Sequence, residues 1–220
     1  FSADSMPMIG ASISLNVYSQ ASVRTKAIVD YLGSDEIKHV FATMSDSTIS
    51  KAPEGYLRVG VICAADNFNS ENPSFDIVGI HRAKWTDAKV IGEGEGWFWA
   101  VAVERVEDQD ESEILANCHG EILTSLNKLK MLIQRYMSEC AKYQLPYSEN
   151  LKIIVKNFED FNFEDKEVVD GLIWHVVANT NEVHTGVKQK IHESVSLLER
   201  ISMCLKMLKE RLNVLDINRD

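Results

Sequence analysis

The fold turns on Trp97-Phe98-Trp99-Ala100-Val101-Ala102-Val103-Glu104-Arg105-Val106-Glu107-Asp108-Gln109-Asp110-Glu111. From Trp97 to Val103 the residues read as a strand, with Trp97 and Trp99 on one face and Phe98 on the other. The acidic run Glu107 to Glu111 closes that pattern and suits the amino terminus of a helix, where the aligned peptide dipoles favour negative charge. Short extended segments lie before this stretch and helical periodicity lies after it.

Working back from Trp97, Gly92-Glu93-Gly94-Glu95-Gly96 and the preceding Ala88-Lys89-Val90-Ile91 complete a hairpin with a glycine-rich tip. Phe75 to Ile80 and Leu57 to Cys63 read as further strands, joined through the turn-forming Asp66-Asn67-Phe68-Asn69-Ser70-Glu71-Asn72-Pro73. His39 to Thr43 is another strand, and Ser45 to Gly55 a loop rich in serine, aspartate and proline. Ile13-Ser14-Leu15-Asn16-Val17 alternates apolar and polar residues as a half-buried strand does. Ser22 is a plausible N-cap for a helix carrying Val23, Ala27, Ile28 and Leu32, which Gly33-Ser34-Asp35 ends.

Working forward, Leu115, Ile122, Leu126, Leu129, Ile133, Tyr136, Met137 and Cys140 fall three, four or seven apart and predict one long amphipathic helix from Ser112 to Tyr143. Gly120 permits a bend in it, and Pro146 stops the pattern. Shorter helices fit Tyr147–Asn157, Glu164–Ala178 and Gly186–Glu193. Ser196-Leu197-Leu198-Glu199 is a capping box, and Leu198, Ile201, Leu205, Leu208, Leu212 and Leu215 then form one stripe. Mid-helix Trp174 reads as core, beside His175. The final helix reaches Asp216-Ile217-Asn218-Arg219-Asp220 without a C-cap glycine, which favours a fragment of a longer chain. These periodicities give a β-rich module followed by a helical bundle.

Composition removes several function classes. A net charge of −10 with no basic cluster argues against a nucleic-acid surface. No apolar run approaches the roughly 20 residues that span a bilayer, and the first residues carry no secretory signal. Cys63, Cys118, Cys140 and Cys204 show no metal-ligand rhythm and each falls on an apolar stretch, so they read as buried thiols in a reducing compartment. Cys118-His119 is no nucleophile and base, because adjacent helical residues point apart. No G-x-x-x-x-G-K-[ST] is present, and the Gly92–Gly96 repeat lacks the lysine and following helix of a phosphate loop. No carboxylate is singled out as a general acid.

Two unlike signatures in one order carry a resemblance. In the strand-rich half, Val59-Gly60-Val61 and Gly79-Ile80-His81-Arg82-Ala83-Lys84 precede the Gly94 to Val103 hairpin. In the helical half, Lys188-Gln189, Glu193, Glu199-Arg200 and the apolar positions to Leu215 follow without a gap. Together these resemble the amino-terminal domain of the Lon family of ATP-dependent proteases, over essentially the whole chain. The chain departs from the family near its start: Ile9-Gly10 stands in place of Phe-Pro-Gly, Ser14 in place of proline, and Tyr18 to Ala21 in place of a charged cluster.

The resemblance implies an α+β architecture: a PUA-like β pseudo-barrel over 1–108, then an α-helical bundle subdomain with a long helix over 109–220. It implies a non-catalytic substrate-recognition and assembly domain of a Lon-type serine protease, capturing unfolded or damaged proteins in the cytoplasm, or in the mitochondrial matrix of a eukaryote. No cofactor is expected in this chain. ATP and magnesium would belong to a later domain of the parent protein, which would assemble as a hexamer. Neither nucleic acid nor membrane is an expected partner. The alternative is a free-standing Lon-domain adaptor with no attached enzyme; an RNA-binding PUA-like module is disfavoured by the charge. Capture of exposed apolar segments needs scattered aromatic anchors, which makes Trp97, Trp99 and the helical Arg24 the candidate substrate contacts. Gly60, Gly79, Arg82, Ala83, Lys188, Gln189, Glu199 and Arg200 are the structural signature, with Arg82 expected to brace the barrel through a carboxylate or backbone carbonyls.

Overall fold

Five strands build the first half: β1 (Ser12–Asn16), β2 (His39–Ala42), β3 (Val59–Asn69), β4 (Ser74–Ile91) and β5 (Phe98–Arg105). The computed structural model describes residues 12–16, 30, 39–43, 55–69, 74–94 and 97–217. The helix expected after Ser22, the loop over 45–54 and the hairpin tip at 70–73 lie outside the described residues.

The long β4 organises this sheet. Its first residues pair antiparallel with β1 (Ser12 opposite Val78, Asn16 opposite Ser74), and its last with β5 (Ala83 opposite Arg105, Ile91 opposite Phe98). β3 pairs along its other edge and in turn carries β2. The segments read as separate strands at 75–80 and 88–91 are thus one element, continuous through the Arg82-Ala83 signature. Register shifts at Ile62/Cys63 and Trp85/Asp87 mark bulges in the pairing of β4, which bend and twist a strand too long to stay flat. Among the described residues the sheet is open rather than closed into a barrel.

Direct cross-strand neighbours share a face. Ala42, Val61 and Arg82 form one buried row, and Val40 and Cys63 the next. Gly60 has no room for a side chain: a Cβ there would stand 2.3 Å from the Ala42 carbonyl oxygen and 2.8 Å from the Phe41 ring. Close strand packing, not a special backbone angle, is what this position requires.

The chain divides into two units, Phe1–Glu107 and Asp108–Asp220. The second holds helices α1 (Ser112–Asn117), α2 (His119–Lys142), α3 (Glu149–Lys156), α4 (Lys166–Asn179), α5 (Thr185–Glu193) and α6 (Leu197–Ile217). The single helix expected from Ser112 to Tyr143 is broken, and the break is at Cys118 rather than Gly120. Cys118 leaves helical geometry at φ −102° and ψ 15°, its amide donating to the Ile114 carbonyl while its own carbonyl accepts from Glu121 and Ile122. Beyond the break, Ile122, Leu126, Leu129, Ile133, Tyr136 and Cys140 are buried along α2 as their spacing requires. Cys118 is only half-buried, whereas Cys63, Cys140 and Cys204 are buried, and all four thiols are free. Burial pushes the Cys63 thiol up to about 11 and Cys204 to about 12, so neither is a thiolate near neutral pH.

The α6 stripe is rotated from the expected one. Leu197, Ile201, Cys204, Leu208, Leu212 and Leu215 are buried, while Leu198 and Leu205 are half-buried flanks. No helix among the described residues is long and apolar enough to cross a membrane.

Candidate functional site

The β4–β5 hairpin carries the candidate aromatic contacts. Gly92 and Gly94 take positive φ values of 86° and 60° at its tip, a backbone region open to glycine at no steric cost. Strand alternation then places Trp97 beside Trp99, their rings edge to face at 5.7 Å. Trp99 lies opposite Val90, and both indoles are half-buried, whereas Val90 is 51% and Val103 37% exposed. Arg24 lies outside the described residues. Trp85 is buried at the other end of the hairpin, its indole N–H donating to the Leu57 carbonyl at 3.1 Å with the Arg58 guanidinium 3.9 Å above its ring.

The signature residues of this unit sit in the sheet itself. Gly79 lies opposite Cys63, Ala83 opposite Gly60, and Arg82 is buried with its carbonyl accepting from the Val106 amide at 3.0 Å.

In the helical unit, Gln189, Glu199 and Arg200 gather at the α5–α6 turn. Gln189 donates to Glu193 at 2.8 Å, and the Ser194 hydroxyl donates to Glu199 at 2.5 Å. Lys188 is half-buried on α5, and that burial pushes its ammonium pKa down. Arg200 is fully buried. Its Nη1 and Nη2 donate to the two oxygens of Asp108 at 2.8 and 2.6 Å, Nε and Nη2 to Asp170 at 3.1 and 2.7 Å, and Nη1 also to the Ser194 carbonyl at 3.0 Å. A guanidinium has five N–H donors, and these contacts use them all, so Arg200 has none left for a ligand. Burial disfavours its charge, but the hydrogen bonds and charges of Asp108 and Asp170 outweigh that and raise its pKa.

Asp108, Asp170, Glu111 and Ser194 are the residues that sequence reading missed here. Asp170 had a signal: an acid four residues before Trp174 on an apolar helix, where (i, i+4) spacing brings the two together. The Trp174 indole donates to it at 3.0 Å, and Trp174 is core as expected. Among the described residues no group of three histidine, cysteine or acidic side chains is placed to hold a metal ion.

The arrangement thus consists of a partly exposed aromatic hairpin and a braced helical unit. The chain matches the N-terminal domain of Mycobacterium avium complex Lon protease with a TM-score of 0.54 over 94% of both chains, at 15% identity. The architecture is that of a Lon N-terminal domain. A Lon N-terminal domain protein from Xanthomonas campestris matches with a TM-score of 0.51 over 94% of this chain and 95% of that one, at 11% identity. No protein-family model matches the sequence, and no curated protein is significantly similar to it. The likeness to Lon domains is therefore one of fold.

Proposed function

We propose that this chain is the substrate-recognition and assembly domain of a Lon-type ATP-dependent serine protease, capturing unfolded or damaged proteins. The observation that carries the reading is the likeness to two Lon N-terminal domains across 94% of the chain. The half-buried indoles on the β4–β5 hairpin agree with it, because capture of unfolded segments needs apolar anchors rather than a closed pocket. In this reading the first unit is a PUA-like pseudo-barrel whose bulged β4 supplies the curvature for closure. The parent protein supplies ATP hydrolysis, magnesium and the proteolytic serine from other domains, assembles as a hexamer, and works in the cytoplasm or the mitochondrial matrix.

The test is equilibrium binding of a permanently unfolded protein, reduced and carboxymethylated lactalbumin, against its native form. The reading expects the unfolded protein to bind and the native one not to; equal or absent binding of both would sink it. The coding sequence beyond Asp220 separates an attached ATPase and protease from a free-standing adaptor.

A further inference from the structure

We infer that His184 is a proton-operated cap on α5: the first turn of that helix is held while the imidazole is neutral and released when the ring takes up a proton. The inference concerns the helical unit by itself and stands whether or not the recognition role proposed above holds.

The geometry decides which protonation state the cap needs. His184 precedes α5 outside helical geometry, at φ −56° and ψ 131°, and its Nδ1 accepts from the Gly186 amide at 3.1 Å. A ring nitrogen accepts only with its lone pair free, so this bond needs the neutral ring with its hydrogen on Nε2. An imidazolium has two donors and no acceptor. It would turn an N–H toward the Gly186 amide and set positive charge at the positive end of the helix dipole. The bond is therefore present where the ring is neutral and lost as pH falls through its titration.

The turn has little to replace it. The first turn of α5 carries no acidic residue, and Gly186 and the β-branched Thr185 and Val187 are weak helix formers. The Lys188 amide reaches the His184 carbonyl only at 3.5 Å. Just before the cap, Glu182 takes a φ of 55°, a left-handed conformation that is unfavourable for a residue with a Cβ. The charged and titratable groups about the turn are Glu182 and Lys188 on its own segment, Arg211 from α6, and Tyr136 and Cys140 from α2. Glu182 is already paired with the buried Arg211, and the Tyr136 hydroxyl accepts from the Asn181 amide at 3.3 Å. His175 on α4 is a contrast within the same unit. Its Nδ1 lies 2.8 Å from the Gly171 carbonyl, which can only accept, so this nitrogen donates and a proton added at Nε2 leaves the bond intact. The two histidines hold opposite tautomers and answer acid differently.

The experiment is a proton–nitrogen NMR titration of the whole isotope-labelled chain from about pH 8 to about pH 5, the range in which imidazoles ordinarily change charge. At the upper end, ring correlations are expected to show the Nε2–H tautomer at His184 and the Nδ1–H tautomer at His175. Protection of the Gly186 amide against hydrogen exchange, corrected for the intrinsic rate, is expected to fall by about fivefold or more as the His184 ring titrates. In His184→Asn, whose side-chain oxygen caps at every pH, that protection is expected to stay level. An Nδ1–H tautomer at His184 overturns the inference outright. So does a loss of protection at Gly186 that is the same in the parent chain and in His184→Asn. Should His184→Asn fail to fold, the parent chain decides alone: the Gly186 amide and the His184 ring must titrate with one midpoint, and separate midpoints overturn the cap.

Discussion

Arg200 shows how a single residue sets the design of the helical unit. Its fork joins Asp108 at the start of the unit, Asp170 on α4 and the Ser194 carbonyl before α6. Deleting it strands two carboxylates that are 18% and 23% exposed, so solvent relieves part of the cost. Arg200→Ala is expected to lower stability by about 2–4 kcal/mol, seen as a shift of the urea midpoint at constant slope. Arg200→Lys restores the charge but not the two-sided fork, so it is expected to recover less than half of that loss. In the sheet, Gly60→Ala forces a Cβ against the Ala42 carbonyl, which cannot rotate away. A loss of about 1–3 kcal/mol is expected, read as a lowered melting temperature. Gly120→Ala is the contrast: nothing lies within 4 Å of that Cβ position. With helical backbone entropy reduced, it is expected to gain up to about 0.5–1 kcal/mol.

At the scale of elements, the start of α6 was half legible. Ser196 accepts from the Glu199 amide at 3.1 Å, as a capping box requires, but the Glu199 carboxylate takes the Ser194 hydroxyl instead of reaching back to Ser196. The free N-terminal amide of Leu197 goes to Glu111 at 2.8 Å, which also accepts from the Ser196 hydroxyl. A cap supplied from 86 residues away cannot be seen in a local pattern. The stripe of α6 was misplaced by a related blindness: leucine outranked cysteine in reading the ladder, yet Leu197 and Cys204, with Ile201 and Leu208, form the geometric centre of the buried face. Burial pushes the Glu111 carboxyl up, but its hydrogen bonds from Ser196, Gln109, Leu197 and Leu198 outweigh that and its pKa falls below the ordinary value. A depressed carboxyl pKa contributes stability above the unfolded value of about 4.3, and that contribution disappears as pH falls through the folded value. Glu111→Gln is therefore expected to cost about 1–2 kcal/mol at neutral pH, with the gap to the parent protein narrowing on acidification. A constant gap in denaturation curves from neutral pH down to about 3 would contradict the assignment.

At the scale of the whole molecule, the change of rhythm after Val106 announced an extended half and a helical half because period two and period three to four are visible in side-chain order. The continuity of β4 was hidden, since Arg82 and Lys84 interrupt the apolar alternation that marks a strand, and only pairing with β3 and β5 explains them. The candidate indoles were legible as a pair by alternation, but their half-buried state depends on cross-strand neighbours such as Val90. The division itself leads to a sharp expectation. Asp108 belongs to the helical unit, and it takes two of the five donors of a guanidinium with no exposed surface. A fragment beginning at Asp108 keeps that pair, whereas one beginning at Gln109 leaves both N–H groups buried and unpaired. The longer fragment is expected to unfold cooperatively and to be more stable than the shorter by about 2–3 kcal/mol. Trp174 is the only tryptophan in either fragment, and its indole shares Asp170 with Arg200. Its fluorescence in a urea titration reads the difference directly, and coincident midpoints would mean that Asp108 adds nothing to the unit it begins.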